Sequence, residues 1–494
     1  MVLIACVAVI AGLLIVEGMV KRHGGGQRTG FASRAQLKRA VGAKQLLRRA
    51  AILRPSVTSP KLHDVGLQIA RVGRLVICGS VEDSYLLLGP PRAGKGAGAL
   101  IPWLLEYPGP VIVTSTRDDL IRATVHQRAT RGAVWLFDPT AVVSKAVAGP
   151  AQRGGWSLLS GCEEPLTAIL RARAIVAASR SSDGVRNADF WRGSSETVLR
   201  CFFHAAALGG LDVRSVREWV GKQSGTEALA LLKDPRASDG WFADLLGITQ
   251  MEEETRTNVF AGAQMSLTVL ADPRVLEMVS AASAFDIDGF LRGCGTLYLV
   301  GPSDAQHSMA PIIVALIEAI VDRARRLAAT MPGGRLDPPL GLFLDEAAQI
   351  APLPSLPRLV ADGGGTGITP IVVLQSLAQA RDRWGIQAAD TIWDACTVRL
   401  VLGGMGNDGD LQKLSRLCGE VDERVAAHGK GGSSVSSHKR AVISVAEIRG
   451  LKPWRALLLY KGLAPAVVTL TPYFKAKAHP RQDDASVAEM NRAA

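Results

Sequence analysis

The sequence predicts an α/β protein with a mainly parallel β-sheet, an inserted all-helical block and an N-terminal transmembrane helix. Three observations support this fold class. Short apolar segments alternate with helix-length segments along most of the chain, which is typical of a parallel sheet. Residues 187–287 break this rhythm, because they contain helical patterns and no convincing strand. Residues 2–16 are apolar without interruption, which is typical of a segment that crosses a bilayer.

Residues 18–20 extend the N-terminal apolar run past Glu17, so about 19 residues would span roughly 28 Å as a helix. A signal peptide is disfavoured, because the run has no basic segment before it and no small-x-small cleavage site after it. A buried N-terminal helix remains the alternative. Residues 1–60 carry ten Lys and Arg residues against one acidic residue, so +9 of the formal net charge of +12 lies here. The positive-inside rule then places residues 21 onward in the cytoplasm.

The basic stretch that follows, residues 33–53, has the pattern of an amphipathic helix that lies near anionic lipid headgroups. The remaining 434 residues are almost neutral, so the charge gives no general argument for nucleic-acid binding. The composition excludes other classes. A hydrophobic fraction of 48 % excludes a largely disordered chain, and seven scattered cysteines argue against a disulfide scaffold and a structural zinc site. An aromatic content of 5 % argues against stacking platforms as the main mode of single-strand binding.

A phosphate-binding loop follows the first strong strand, residues 84–88 (SYLLL), and precedes a helical pattern, AGALIPWLLEY. The G-x-x-x-x-G-K spacing lets backbone N–H groups turn toward a phosphate, while the Lys neutralises β- and γ-phosphate oxygens. Position 96 is Gly, where Ser or Thr would give Mg²⁺ a hydroxyl ligand. The residues expected to bind nucleotide are Gly89, Pro90, Pro91, Arg92, Ala93, Gly94, Lys95, Gly96 and Ala97.

Two further strand ends carry polar side chains suited to the same chemistry. The segment PLGLFLDE ends in Asp345 and Glu346, where an Asp can hold Mg²⁺ through water and a Glu can activate the attacking water. The strand at 371–374 ends in Gln375, an amide placed where a γ-phosphate would lie. Each strand end also has an interpretation without catalysis. Asp345 and Glu346 could be a surface pair at the end of a strand, and the segment after 374 could serve to cap the next helix through Ser376. Together with the loop, they favour an ATPase that uses ATP and Mg²⁺.

Further strands are expected at 111–114, 133–137, 295–300 and 397–402, and a flexible loop at 430–437. The predicted organisation is a transmembrane helix (1–20), a basic juxtamembrane segment (21–62), the first part of a nucleotide-binding domain (63–186), an all-α domain (187–287), the second part of the nucleotide-binding domain (288–475) and a flexible tail (476–494).

The ordered segments GPPRAGKGAGALIPWLL, VIVTSTRDDL, WLFDPT, ADFWRGSSETVLR, LGLFLDEAAQIAPLPSLPRLVADGGGTGI and VVLQSLAQARDRWG identify a family resemblance. The chain resembles the type IV secretion coupling proteins, the TraG/TraD-like conjugative DNA-transfer ATPases, and especially their actinobacterial branch. The resemblance covers roughly residues 30–475.

This resemblance implies a RecA-like P-loop motor that forms a homo-hexamer and is anchored in the inner membrane with its motor in the cytoplasm. It implies that the motor recruits a relaxase–DNA complex, with DNA expected to be single-stranded, or another secreted protein, and passes it to components of a type IV secretion channel. It also implies that Lys95 binds phosphate, Asp345 serves Mg²⁺, Glu346 activates water and Gln375 senses the γ-phosphate. The family tolerates Gly at position 96.

Two departures from the family pattern concern the membrane segment and the arginine finger. Many members have two transmembrane helices before the motor, whereas this sequence shows one. Many also carry an Arg in the loop before the Gln strand, where this chain has GGGTG at 363–367. Arg358, 12 residues after Glu346, is our candidate for an arginine that acts on a neighbouring subunit's nucleotide; a solvated Arg on an amphipathic helix is the alternative.

The sequence supports three functional hypotheses. The first is an ATP-hydrolysing DNA translocase of a conjugation system. The second is a membrane-tethered P-loop motor of another secretion or DNA-segregation system. The third is a docking receptor for nucleoprotein substrates that binds ATP without hydrolysing it. The loss of the usual hydroxyl and arginine favours the receptor, whereas Lys95, Glu346 and Gln375 oppose it.

Overall fold

The computed structural model describes residues 29–179, 187–280, 285–301, 306–429 and 432–475. The predicted transmembrane helix (1–20) and tail (476–494) lie outside these residues. Within the described ranges, no helix combines the length and the apolar character that a membrane crossing requires.

Twelve of the fourteen strands in the described ranges form one sheet with the order β2-β1-β14-β13-β10-β3-β9-β8-β4-β7-β5-β6. The strands are β1 (Gly66–Val72), β2 (Leu75–Ser80), β3 (Tyr85–Leu88), β4 (Val111–Ser115), β5 (Val134–Phe137), β6 (Gln152–Arg153), β7 (Thr296–Val300), β8 (Leu340–Leu344), β9 (Ile368–Leu374), β10 (Val398–Leu402), β11 (Glu420–Gly429), β12 (Gly432–Ala441), β13 (Arg455–Tyr460) and β14 (Ala466–Thr469).

The α-helices are α1 (Arg34–Val41), α2 (Ala43–Leu47), α3 (Ala50–Leu53), α4 (Leu62–Val65), α5 (Ile101–Glu106), α6 (Asp119–Ala129), α7 (Lys145–Ala148), α8 (Pro165–Ser179), α9 (Ala188–Leu208), α10 (Val213–Gly221), α11 (Thr226–Leu231), α12 (Trp241–Thr249), α13 (Glu253–Ser266), α14 (Pro273–Ser280), α15 (Ile287–Arg292), α16 (Gln306–Ala329), α17 (Ala347–Ile350), α18 (Leu356–Asp362), α19 (Leu377–Trp384), α20 (Ile386–Ala395), α21 (Asp408–Leu417) and α22 (Val445–Arg449).

The sheet is buried on both faces, which explains why its central strands are apolar without alternation. On β3, Leu86 and Leu88 pack into one core, and Tyr85 and Leu87 pack into the other. The first core includes α8, α16 and the helical block, and the second includes α5 and α6. The strands from β10 through β3 to β6 pair in parallel, so the prediction of a mainly parallel sheet is confirmed.

The edge beyond β10 differs from the rest of the sheet, because β13, β14, β1 and β2 pair antiparallel there. None of these four strands was among the expected strands. Their pairing brings the chain that follows β14 back beside the phosphate loop.

The predicted continuous basic helix over 33–53 is wrong. The segment forms three short helices, α1, α2 and α3, because Gly42 ends α1 in an extended conformation. A Cβ at Gly42 would lie 2.4 Å from the carbonyl oxygen of Lys38, so only glycine fits this break. The apolar side chains Leu37, Leu46 and Leu53 pack into the protein and so cannot form an apolar stripe for lipid.

The prediction of a flexible loop at 430–437 is wrong for residues 432–437, which belong to β12. β11 and β12 form an antiparallel ribbon in which Glu420 pairs with Ala441 and Gly429 with Gly432. The Ser- and Gly-rich composition was misleading, because backbone hydrogen bonds between two strands do not depend on apolar side chains.

The block at 187–287 contains helices and one short 3₁₀ turn in its described part. The ring of Phe202 lies 5.4 Å from that of Trp219 and 6.2 Å from that of Phe260, centroid to centroid. These rings belong to the same buried cluster as one face of the sheet. The helical block therefore packs directly against the α/β core.

Candidate functional site

The phosphate loop folds around the ammonium group of Lys95. Its Nζ atom donates hydrogen bonds to the carbonyl oxygens of Gly89, at 2.6 Å, and Pro90, at 3.1 Å, and the side chain is buried. The loop begins directly after β3, where the Gly89 N–H donates to the Leu374 carbonyl at 3.2 Å. Arg92 and Gly94 both have positive φ, 62° and 89°. Gly94 adopts this conformation freely, whereas Arg92 is an unusual non-glycine residue in it, and together they turn the loop around the Lys95 ammonium group.

The fold requires glycine at position 94 of the loop but not at position 96. At Gly94 a Cβ would strain the backbone and lie 2.8 Å from Cζ3 of Trp454, so this position requires glycine. At Gly96 a Cβ would meet nothing within 4 Å, so the fold does not require glycine there. The missing hydroxyl at position 96 is therefore not a consequence of crowding.

A π-turn (Gly96–Leu100) follows the loop and leads into α5. Pro102 near the start of α5 has no N–H to donate into the preceding turn, which accounts for the irregular start.

The two carboxyl groups at the end of β8 lie near the lysine. Burial, together with the charges of Glu346 and Asp119, raises the pKa of Asp345 to about 7, while Lys95 opposes the shift. Burial lowers the pKa of Lys95, and the charges of Glu346 and Asp345 oppose that shift. The Thr114 hydroxyl at the end of β4 donates to the Asp345 carbonyl at 2.8 Å and fixes this strand end. The site therefore holds a buried carboxyl group of raised pKa, whose ionised form a bound cation would stabilise.

Gln375 connects the end of β9 to Glu346. Its Nε2 atom lies 3.0 Å from each carboxylate oxygen of Glu346 and donates to that group. The next residue, Ser376, caps α19 by accepting from the Gln379 N–H at 3.3 Å. Ser376 is therefore a helix cap, whereas the side chain of Gln375 contacts the carboxylate of the site.

These residues meet because β3, β9 and β8 are consecutive neighbours in the sheet and run in parallel. Their carboxyl ends lie at one edge, where ligands bind in open α/β sheets. Lys95, Gln375 and the Asp345–Glu346 pair therefore come together as the sequence predicts.

The donor set fits a nucleotide with a divalent cation. Asp345 offers a buried carboxyl group of raised pKa, which a hard cation would stabilise in its ionised form. Gly96 leaves open space beside the loop. Residues of the loop would hold the phosphates, and Asp345 would hold Mg²⁺.

Arg358 is not part of this cluster. It lies on α18 with its side chain 75 % exposed, and its Nε atom donates to Asp362 at 3.1 Å. Arg325 pairs with the same carboxylate at 2.8 Å. Its role toward another subunit stays a prediction.

The sequence reasoning missed three residues beside the site: Asp119, Trp454 and Phe474. Asp119 acts on the pKa of Asp345 from the start of α6. Trp454 covers Gly94, and the ring of Phe474 lies 6.0 Å from that of Trp454. The Asp pair in VIVTSTRDDL was visible after a predicted strand, but no pattern in the sequence indicated the two aromatic residues.

Two protein-family models match the chain. Residues 40–148 match a model described as "Type IV secretory system Conjugative DNA transfer", and residues 339–453 match one described as "TraM recognition site of TraD and TraG". The two matched regions contain the phosphate loop and the strand ends at Glu346 and Gln375.

The chain is also similar to curated proteins of conjugal transfer. A probable conjugal transfer protein TraG of Sinorhizobium fredii is 22 % identical over 78 % of this chain and 61 % of its own length. The conjugal transfer protein TraG of Agrobacterium fabrum is 24 % identical over 73 % of this chain and 55 % of its own length. The protein VirD4 of Rhizobium radiobacter is 21 % identical over 80 % of this chain and 57 % of its own length. The chain thus spans less than two thirds of the length of these relatives.

Solved structures show the same fold. The bacterial conjugative coupling protein TrwB, in an N-terminally truncated form, has a TM-score of 0.63 at 20 % identity, covering 89 % of this chain and 94 % of that one. TrwB in complex with a non-hydrolysable ATP analogue has a TM-score of 0.62 at 20 % identity over the same 89 % and 94 %. The chain therefore has the RecA-like α/β fold of TrwB, and in its two matched regions it is similar to the TraG/TraD-like type IV secretion coupling proteins.

Proposed function

We propose that the chain is a membrane-anchored, ATP-hydrolysing coupling protein that moves DNA or a relaxase–DNA complex toward a type IV secretion channel. The proposal rests on the cluster of Lys95, Asp345, Glu346 and Gln375 at the carboxyl edge of the sheet and on the similarity to type IV coupling proteins. TrwB was solved with a non-hydrolysable ATP analogue and with ADP and Mg²⁺, which supports the same ligands here.

The residues of the cluster take distinct roles in this proposal. The loop N–H groups and Lys95 would bind the phosphates, and Asp345 would hold Mg²⁺, which when bound would neutralise charge on the phosphate oxygens. Glu346 orients the attacking water and accepts its proton. Gln375 contacts the γ-phosphate and, through its hydrogen bond, positions the Glu346 carboxylate.

The single observation that carries hydrolysis is the contact between Gln375 and Glu346 at 3.0 Å beside a buried Lys95. A receptor that only binds ATP needs the loop, but it has no need of a carboxylate held in place by a neighbouring amide. The contact therefore favours the motor over the docking receptor.

Two substitutions separate binding from hydrolysis. Glu346→Gln should bind ATP with nearly wild-type affinity and hydrolyse it about 10²–10⁴-fold more slowly, because only the proton acceptor is lost. Lys95→Ala should lose both binding and hydrolysis. ATP binding by calorimetry and phosphate release measure the two effects. Glu346→Gln with a wild-type rate would contradict the proposal.

The membrane anchor and the assembly are part of the proposal. The apolar run at 1–20 and the +9 charge of residues 1–60 support an inner-membrane anchor, and the family resemblance supports a homo-hexamer with a cytoplasmic motor. Deleting residues 1–20 should move the protein to the soluble fraction, with residual vesicle binding that is screened above about 0.5 M salt. A truncated protein that still needs detergent would contradict this part.

A further inference from the structure

Three aromatic residues cluster beside the phosphate loop, although the catalytic scheme makes no use of them. Trp454 lies directly before β13, and Tyr473 and Phe474 lie in a 3₁₀ turn (Tyr473–Lys475) after β14. The ring of Phe474 lies 6.0 Å from that of Trp454 and 5.5 Å from that of Tyr473, edge to face in both pairs. The 3₁₀ turn packs against the π-turn that follows Lys95.

The indole of Trp454 lies against the loop itself. A Cβ at Gly94 would lie 2.8 Å from its Cζ3 atom, and one at Gly98 would lie 3.1 Å from its Cε3 atom. Trp454 has a φ of 64°, which is an outlier for a bulky side chain. The Leu470 N–H donates to the Trp454 carbonyl at 2.9 Å and helps to hold this conformation. Backbone strain of this kind is typical of binding sites.

Phe474 leaves much of its ring open to solvent. It is 46 % exposed, although it belongs to an aromatic cluster next to a buried lysine. A large apolar side chain in this position has an available surface of the kind that a planar ligand covers.

The strand order gives the direction of a bound nucleotide. The groups suited to the γ-phosphate, Gln375 and Glu346, follow β9 and β8, which lie on one side of β3. Trp454 lies directly before β13, a strand on the other side of β3, beyond β10. A triphosphate that extends along the loop with its γ-end toward Gln375 directs its ribose and base toward the aromatic cluster.

We propose that Phe474, supported by Trp454, forms the stacking surface for the purine base of the nucleotide. This inference rests on the proposed function and adds the base-binding subsite to it. Stacking on an aromatic ring depends on the π-face that all bases share, so we expect a preference for nucleotides over bare triphosphate.

The test compares ATP with tripolyphosphate, which has the phosphates but no base, by calorimetry on the full chain. Wild-type protein should bind ATP more tightly than tripolyphosphate. Phe474→Ala should weaken ATP binding about 5- to 30-fold, the effect of losing one stacked ring, and leave tripolyphosphate binding unchanged within twofold. Phe474→Tyr should restore ATP binding. Phe190→Ala, at a similarly exposed Phe (49 %) in the helical block, is the matched control and should change neither affinity.

The outcomes separate this inference from the proposed function. Wild-type binding of ATP by Phe474→Ala, or an equal loss for both ligands, would overturn the stacking surface alone. Equal wild-type affinity for ATP and tripolyphosphate would also overturn it alone. Wild-type protein that binds neither ligand would overturn the nucleotide site and the base subsite together.

Discussion

Replacing Asp345 with Asn should remove a pH dependence from metal-nucleotide binding. Burial and the neighbouring charges of Glu346 and Asp119 raise the pKa of Asp345 from 3.8 to about 7. Mg²⁺ binds the ionised carboxylate and competes with its proton. The affinity for Mg²⁺ and ATP should therefore rise with pH up to about 7 and then level off.

The magnitude follows from the pKa. At pH 6, one unit below it, about one tenth of the Asp345 carboxyl groups are ionised, so the affinity should be about tenfold weaker than at pH 8. The stability of the nucleotide-free protein depends on pH in the opposite direction. In the nucleotide-free protein the folded state keeps a proton that the unfolded state has lost, so this group reduces stability as pH rises from about 4 to about 7. Asp345→Asn should therefore raise the melting temperature at pH 8 and have little effect at pH 4.

The assay is the Mg²⁺ dependence of ATP binding at pH 6, 7 and 8 in wild-type and Asp345→Asn protein. The phosphates of ATP also titrate near pH 6, and the variant measures that contribution, since it has no titrating group at position 345. The wild-type pH dependence should exceed that of the variant by about tenfold between pH 6 and 8. Equal pH dependence in both proteins would refute the reasoning.

The remaining predictions concern the loop and the arginine. Gly94→Ala should weaken ATP binding at least about tenfold, because it combines a strained φ with a contact of 2.8 Å to Trp454; wild-type affinity by calorimetry would contradict it. Gly96→Ser should fold normally and hydrolyse ATP no more slowly than wild type, because its Cβ meets nothing within 4 Å; a lowered melting temperature would contradict it. Mixing Arg358→Ala with Lys95→Ala subunits should restore part of the ATPase activity, because some interfaces then pair both intact residues. Full activity of Arg358→Ala alone, or no recovery at any ratio, would exclude a role in trans.

The sequence was sufficient for the parallel half of the sheet and for the cluster at its edge. Strands such as β4 and β8 are buried on both faces, so they are apolar throughout and easily recognised. Parallel neighbours also place their carboxyl ends together, so polar residues directly after such strands, as at Asp345 and Gln375, could be assigned to one site without coordinates.

Other features depend on contacts between residues that are distant in sequence. The division of residues 34–53 into short helices goes with their burial against the sheet, where Leu46 packs in one cluster with Cys78 of β2. Trp454 reaches Gly94 only because β13 pairs antiparallel with β10 at the edge of the sheet. Helical periodicity and strand patterns describe single segments, so they carry no information on either contact.

The measurement that tests the central claim most directly is the ATPase rate of the full chain with and without single-stranded DNA, with Lys95→Ala as the control. A DNA-translocating motor predicts a wild-type rate that rises several-fold with added DNA, while Lys95→Ala stays inactive under both conditions. A wild-type rate that is the same with and without DNA would contradict the account.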